Sequence, residues 1–229
     1  MHSLIRTPLN WPLIAHEIGH ILERQKWNLV NTHYPYPTVP SLSPPDLKSY
    51  YAQEFQADFI ALSYFGPIFP RRLLENYYTR EFLISKTHPS WKERFDAIAD
   101  KLQEMGFSKE STDLKEVSAQ EKTSLIGRGS IEHLNEILAQ TEVEINKTGG
   151  LYARDTDKEN KAKTRLNHFT LYTDDIRTLL NVADSVRETV LQSSSDLRKK
   201  RELENDFDYL LVDSIRLTYI KLISQPAFN

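Results

Sequence analysis

Two histidines four residues apart, with a glutamate directly after the first, make up the segment His16-Glu17-Ile18-Gly19-His20. Side chains at i and i+4 of a helix stack one turn apart on one face, so a helical segment aims both imidazoles at one point. Neutral imidazole nitrogen suits zinc at about 2.0–2.1 Å. Glu17 is then placed to act as general base toward a water activated by the metal. Gly19 removes a side chain where substrate or another backbone must come close. The set suggests zinc-assisted hydrolysis. Two histidines on an amphipathic helix also read as ordinary half-buried residues, so the reading needs a third ligand.

A catalytic zinc keeps three protein ligands and one open position. The best candidate for the third is Glu54, in Glu54-Phe55-Gln56-Ala57-Asp58. Glu54 and Asp58 share a helix face at i and i+4. Glu54 would bind the metal while Asp58 accepts a hydrogen bond from a ligand imidazole, fixing its tautomer and raising its basicity. Ala57 is small enough to let two helices pack closely. Alone, this pair reads as a solvated helix face; the histidines give it a second reading. His33, Tyr34, Tyr36, Tyr50 and Tyr51 lie between the ligands in sequence. Each could donate to an oxyanion or line a cleft, although packing is the simpler account of the aromatics.

His16–His20 followed by E-x-x-A-D at Glu54–Asp58 resembles the gluzincin metallopeptidases, in particular the HtpX-type and CAAX prenyl endopeptidase branch. Thr87-His88-Pro89-Ser90-Trp91-Lys92-Glu93-Arg94 is similar to that branch's T-H-P-x-x-x-x-R segment, and the three elements come in the family's order. The resemblance covers about residues 12–105. It implies zinc (Zn2+) on His16, His20 and Glu54, with Glu17 activating water. It also implies His88 near the site as a donor to the developing oxyanion, and Arg94 anchoring that segment. An oxyanion does need a donor besides the metal. His88-Pro89 would equally open a helix, and Arg94 would equally serve as a structural ion-pair partner. The immunity-repressor proteases of phages and mobile elements are a second resemblance, through their H-E-x-x-H and Glu-bearing helix. Gluzincins place a β-sheet before the metal helix, and its edge strand holds substrate. Only about eleven residues precede that helix here, so the substrate edge is expected to be missing, supplied by a partner chain, or replaced by the proline-rich segment 34–45.

The elements that must position these residues read as helices. Seven glycines in 229 residues is low, and sustained alternating apolar runs are hard to find. Pro12 suits a first helical position, with Asn10 as a cap, for a helix reaching about Gln25. Five prolines in 31–45 exclude a continuous helix there. Asp46 caps a second helix, 47–65, stopped by Gly66-Pro67. Further helices are expected over 71–83 and from Pro89-Ser90 to Gly106. Residues 108–124 read as a linker. Amphipathic stretches follow at 130–147, 165–192 and 196–224, with a break near Gly149-Gly150. The expected fold is mainly α: a minimal zincin-like helical metallopeptidase core at 1–107, then the linker, then a helical bundle at 125–229.

Charge and composition narrow the function classes. A formal net charge of -3 gives no basic signature for nucleic acid. Without cysteine, thiolate metal sites and cysteine nucleophiles are excluded. No apolar run approaches the ~18 residues of a membrane span, and the N-terminus lacks a secretory pattern. A cytoplasmic protein, or a fragment of a larger one, is therefore expected. His133 and His168 read as isolated packed or surface residues, and Arg198-Lys199-Lys200-Arg201, followed by acidic residues, as a solvated helix with internal charge pairs. The expected function is a zinc endopeptidase acting on a narrow protein or peptide substrate, because an ungated peptidase inside a cell would be harmful. The C-terminal helices would bind a partner protein or position substrate. The alternative is a helical partner-binding or regulatory module with a structural or vestigial zinc site.

Overall fold

Pro12 lies in the first turn of helix α1, where its missing N–H leaves nothing unsatisfied. In the computed structural model α1 spans Trp11–Leu22. The structure describes residues 8–34, 44–78, 88–121, 127–148 and 151–224. Among these the fold is mainly α, as expected, with no strand. The proline-rich segment from 35 to 43, Tyr36, Thr87 and Gly149-Gly150 lie outside them, as does the Asp46 side chain.

Past Leu22 the helix does not fray near Gln25. It widens into a π turn, Glu23–Trp27, closed by the Asn28 N–H donating to the Glu23 carbonyl at 2.8 Å. Asn28 takes the left-handed conformation, φ 54°, which asparagine tolerates better than most residues. The short α2, Leu29–His33, has no side-chain cap from Asn28. Instead the buried Glu23 carboxylate accepts from the backbone N–H groups of Leu29, Val30 and Asn31 at 2.9, 2.8 and 3.1 Å.

Helix α3, Pro44–Phe65, ends at Gly66, whose φ of 63° and following proline terminate it. Helix α4, Ile68–Leu73, starts earlier than the 71–83 expected and passes into a π turn, Leu74–Tyr78; the end of the expected helix falls outside the described residues. Helix α5, Trp91–Glu104, is capped by the Ser90 hydroxyl, which accepts from the Glu93 N–H at 3.3 Å. So His88-Pro89 does precede a helix start.

The expected linker is a helix. Residues 108–118 form α6, Ser108–Ser118, packed along α5. Apart from Leu114 its buried residues are serines: the Ser111 hydroxyl donates to the Ala99 carbonyl at 2.7 Å, and that of Ser118 to the Lys92 carbonyl at 3.3 Å. A helix that buries hydroxyls in this way looks polar in sequence. The expected boundary also moves. Helix α7, Leu134–Lys147, packs on α3 and α2 through a core of Val30, Tyr51, Phe55, Ile131, Leu134 and Ile137. The Gln56 amide donates to the Thr141 hydroxyl at 3.0 Å across the same joint. The chain accordingly divides into two compact units, Pro12–Ala153, and Arg154–Asn229 together with Met1–Trp11, rather than at 107 and 125.

The second unit contains α8 (Thr156–Asn167), α9 (Ile176–Gln192) and α10 (Leu197–Ser224). The stretch expected as one helix over 165–192 is two. Phe169 is left-handed, φ 49°, and Asp175 caps α9 by accepting from the Arg177 N–H at 2.9 Å. Leu166, Leu179, Leu180, Ala183, Phe207 and Leu211 form its core. The 3-10 turn Pro8–Asn10 packs on α9 and α10, with Leu9 fully buried.

Candidate metal centre

Helix α1 turns Leu13, His16 and Gly19 inward and leaves Glu17 and Ile18 exposed. It crosses α3 at Gly19. A Cβ there would lie 3.0 Å from the Ala57 Cα and 3.2 Å from the Ala57 Cβ and the Ile60 Cδ1. Glycine allows this approach without displacing Ala57, and the approach sets His16 and His20 against Glu54, one turn before Ala57.

His16 Nε2 and His20 Nε2 lie 3.2 Å apart. Glu54 Oε2 is 3.5 Å from His16 Nε2, and Oε1 is 3.3 Å from His20 Nε2. Tetrahedral ligands at about 2.0–2.1 Å from zinc stand about 3.3–3.4 Å from one another. The three groups are therefore spaced as ligands of one ion. His16 and Glu54 are buried, and His20 is half-buried. Glu54 Oε2 is buried and accepts no hydrogen bond among the described residues, as an oxygen reserved for a cation would be.

A second ring of groups fixes these three. Asp58 Oδ1 is 2.9 Å from His16 Nδ1; an Nδ1–H turned to that carboxylate would leave the Nε2 lone pair for a metal. Arg94, from α5, donates to Asp58 through Nε at 2.7 Å and Nη2 at 2.6 Å. Its Nη1 is 3.6 Å from Glu54 Oε2, and its guanidinium lies over the Trp91 ring, 5.0 Å from the centroid. Phe69, from α4, stacks on His16 with centroids 6.3 Å apart. Nothing in the spacing of Phe69 marks it in the sequence.

The electrostatics follow from this packing. Burial would raise the Glu54 carboxyl, but the His20 hydrogen bond and the charges of Arg94 and the two imidazoles outweigh it and hold it well below the usual range. Asp58 is likewise lowered despite burial, chiefly by Arg94 and the His16 hydrogen bond. Arg94 is raised: burial opposes its charge, and Asp58 and Glu54 overcome that. Burial would lower His20, but Glu54, with Glu17 and Asp58, raises it. Two buried carboxylates thus face one guanidinium. A bound cation or a proton on an imidazole would offset the remaining negative charge.

Of the residues expected at the site, His16, Glu17, His20, Glu54, Asp58, His88 and Arg94 are in or beside this cluster, whereas His33 stacks on His133 at the end of α2. Glu17 is exposed, near enough to His20 for its charge to act there. His88, half exposed, places Nε2 3.3 Å from Glu54 Oε1. The tyrosines go elsewhere. Tyr51 is in the α2–α3–α7 core, Tyr50 packs against it, and the Tyr34 hydroxyl donates to the Glu132 carbonyl.

No family model, curated protein or solved structure matches the chain. The reading of the site therefore stands on its geometry. A cavity of about 220 Å³ between α3, α5 and α7 touches Asp58 among its lining residues, and none of the three spaced ligands lines it.

Proposed function

We propose that this protein is a zinc-dependent endopeptidase with His16, His20 and Glu54 as its metal ligands and Glu17 as its general base. One observation carries the reading: two imidazole nitrogens and a buried carboxylate at 3.2–3.5 Å from one another, with an exposed glutamate next to the first ligand. The donor set suits zinc, since imidazole and carboxylate are good ligands for it and the third carboxylate, Asp58, orients one ring.

When bound, zinc would supply Lewis acidity toward a carbonyl oxygen and a water. The residues of the chain would do the rest. Glu17 takes a proton from the attacking water and passes it to the leaving amine. Asp58 holds the His16 tautomer, and Arg94 holds Asp58. His88, at the rim of the site, offers an imidazole N–H to the developing oxyanion. A narrow protein substrate is part of the proposal.

A second reading has zinc as a structural or vestigial ion in a partner-binding helical protein. It is favoured by the lack, among the described residues, of any strand on which an extended substrate could pair. Glu17→Gln separates the two. The enzyme reading expects unchanged zinc content and fold, with hydrolysis of a cleaved protein substrate reduced by about 10²–10⁴-fold. Full hydrolysis by Glu17→Gln would remove Glu17 from the chemistry, and protein purified without chelator yet free of zinc would remove both readings.

A further inference from the structure

The second place where histidines meet in this molecule is the joint between α2 and α7. Helix α2 ends at His33, and α7 begins after His133, a hundred positions further on in the chain. The shared core of Val30, Ile131 and Leu134 brings these ends together. Two ties flank the joint. The Tyr34 hydroxyl donates to the Glu132 carbonyl, and the Lys48 ammonium lies 3.3 Å from the Glu132 carboxylate.

At the joint the His33 and His133 rings lie face to face, with centroids 4.5 Å apart and planes 15° from parallel. His133 Nδ1 is 3.4 Å from Glu136 Oε2, one turn into α7. One ligand atom from each of the three residues lies within 4.8 Å of the others. His133 has a φ of 61° and makes no side-chain cap on the helix it precedes, so its imidazole is not engaged as a cap.

We propose that His33, His133 and Glu136 form a second binding site for a divalent transition metal, with zinc as the natural occupant, which clips α2 to α7. Two imidazoles and one carboxylate select zinc, copper or nickel over calcium and magnesium, which prefer all-oxygen shells. The site is looser than the inner one. Ligands at about 2.0–2.2 Å from one ion stand about 3.0–4.4 Å apart, so the stacked rings must splay to aim their lone pairs inward. The His133 and Glu136 side chains are also half exposed, at 50% and 53%. Binding should therefore be weaker than at the inner site by about tenfold or more, since the ordering cost is met on binding. This inference is independent of any peptidase activity.

The test uses the full chain and zinc chloride alone, titrated at neutral pH against a chromophoric chelator of known affinity. The wild type should take up two zinc ions per chain in two affinity classes. His33→Gln with His133→Asn, where asparagine tolerates the left-handed backbone, should lose the weaker class and keep the tighter. Glu54→Gln should do the reverse, so failure at one site is distinguishable from failure at the other. In the Glu54→Gln background, zinc should still raise the melting temperature, and adding His33→Gln should abolish that rise. A single class of one zinc in the wild type that His33→Gln with His133→Asn leaves in place overturns the proposal. So does a weaker class that survives His33→Gln with His133→Asn, which would mark it as scattered surface binding.

Discussion

Arg94 grips Asp58 with two parallel hydrogen bonds, at 2.7 and 2.6 Å, and both side chains are almost wholly withdrawn from water. The pair sits behind His16, and Arg94 also lies 3.6 Å from Glu54 Oε2, so its consequences reach the candidate metal site through both residues.

Removing one member of such a pair leaves the other as an uncompensated buried charge. Arg94→Ala should therefore destabilise the protein by about 3–5 kcal/mol. Arg94→Lys should recover little, because an ammonium cannot reproduce the two-pronged contact. Urea unfolding of the three proteins in chelator measures this. Equal midpoints for Arg94→Ala and wild type would show that the pair contributes nothing.

The crossing of α1 over α3 makes a second expectation. In Gly19→Ala the new methyl group meets Ala57 backbone at 3.0 Å, and backbone cannot rotate away as a side-chain tip can. The helices must separate by several tenths of an ångström, at about 1–3 kcal/mol. Since the same separation spreads His16 and His20 from Glu54, zinc affinity should fall together with stability. A chelator-competition titration that finds wild-type affinity in Gly19→Ala would disconnect the crossing from the ligand spacing.

Metal removal should be visible as heat sensitivity. A ligand at about a hundred times its dissociation constant stabilises the folded state by about 2.7 kcal/mol, which for a chain of this size is about 5–10 °C in Tm. Stripping zinc with chelator should lower Tm by that amount, and zinc but not magnesium should restore it. Glu54→Gln should start low and recover much less on adding zinc. Identical melting curves with and without chelator would be the contrary result.

Acid should act through Asp58 in the metal-free protein. Its folded pKa lies below its unfolded value near 3.9, so its contribution is fully present above that value and is lost as pH falls through the folded one. Asp58→Asn should be less stable than wild type at pH 7, and the gap should shrink as pH falls below about 4. Urea midpoints at pH 7, 5, 4 and 3 measure the gap; one that stays constant would exclude the linkage.

Much of the centre was legible in the sequence because its parts are local. His16 with His20 and Glu54 with Asp58 are each one helical turn apart, so helical periodicity alone pairs them. That the two pairs face one another depends on Gly19 and Ala57 meeting, which the small residues only hinted at. Phe69 is on the site because α4 folds back on α1, and no spacing encodes that. His133 read as an isolated histidine and His33 as a candidate for the first site, because their pairing depends on which apolar faces of α2 and α7 share a core. The same long-range choice moved the boundary between units to 153, and serines satisfied by backbone carbonyls hid α6.

The division of the chain has a consequence for the order in which it is made. The 3-10 turn Pro8–Asn10 is synthesised before the Pro12–Ala153 unit, yet its packing partners, α9 and α10, come after it. At about 5–20 residues per second, the stretch carrying both histidine clusters is fully emerged while that turn still has nothing to pack on. The Pro12–Ala153 unit is an insertion in the sense of a parenthesis: its contents can be read before the sentence around it closes. A nascent chain stopped short of α9 should already hold every candidate ligand of the centre, with the Pro8–Asn10 turn still accessible to a protease.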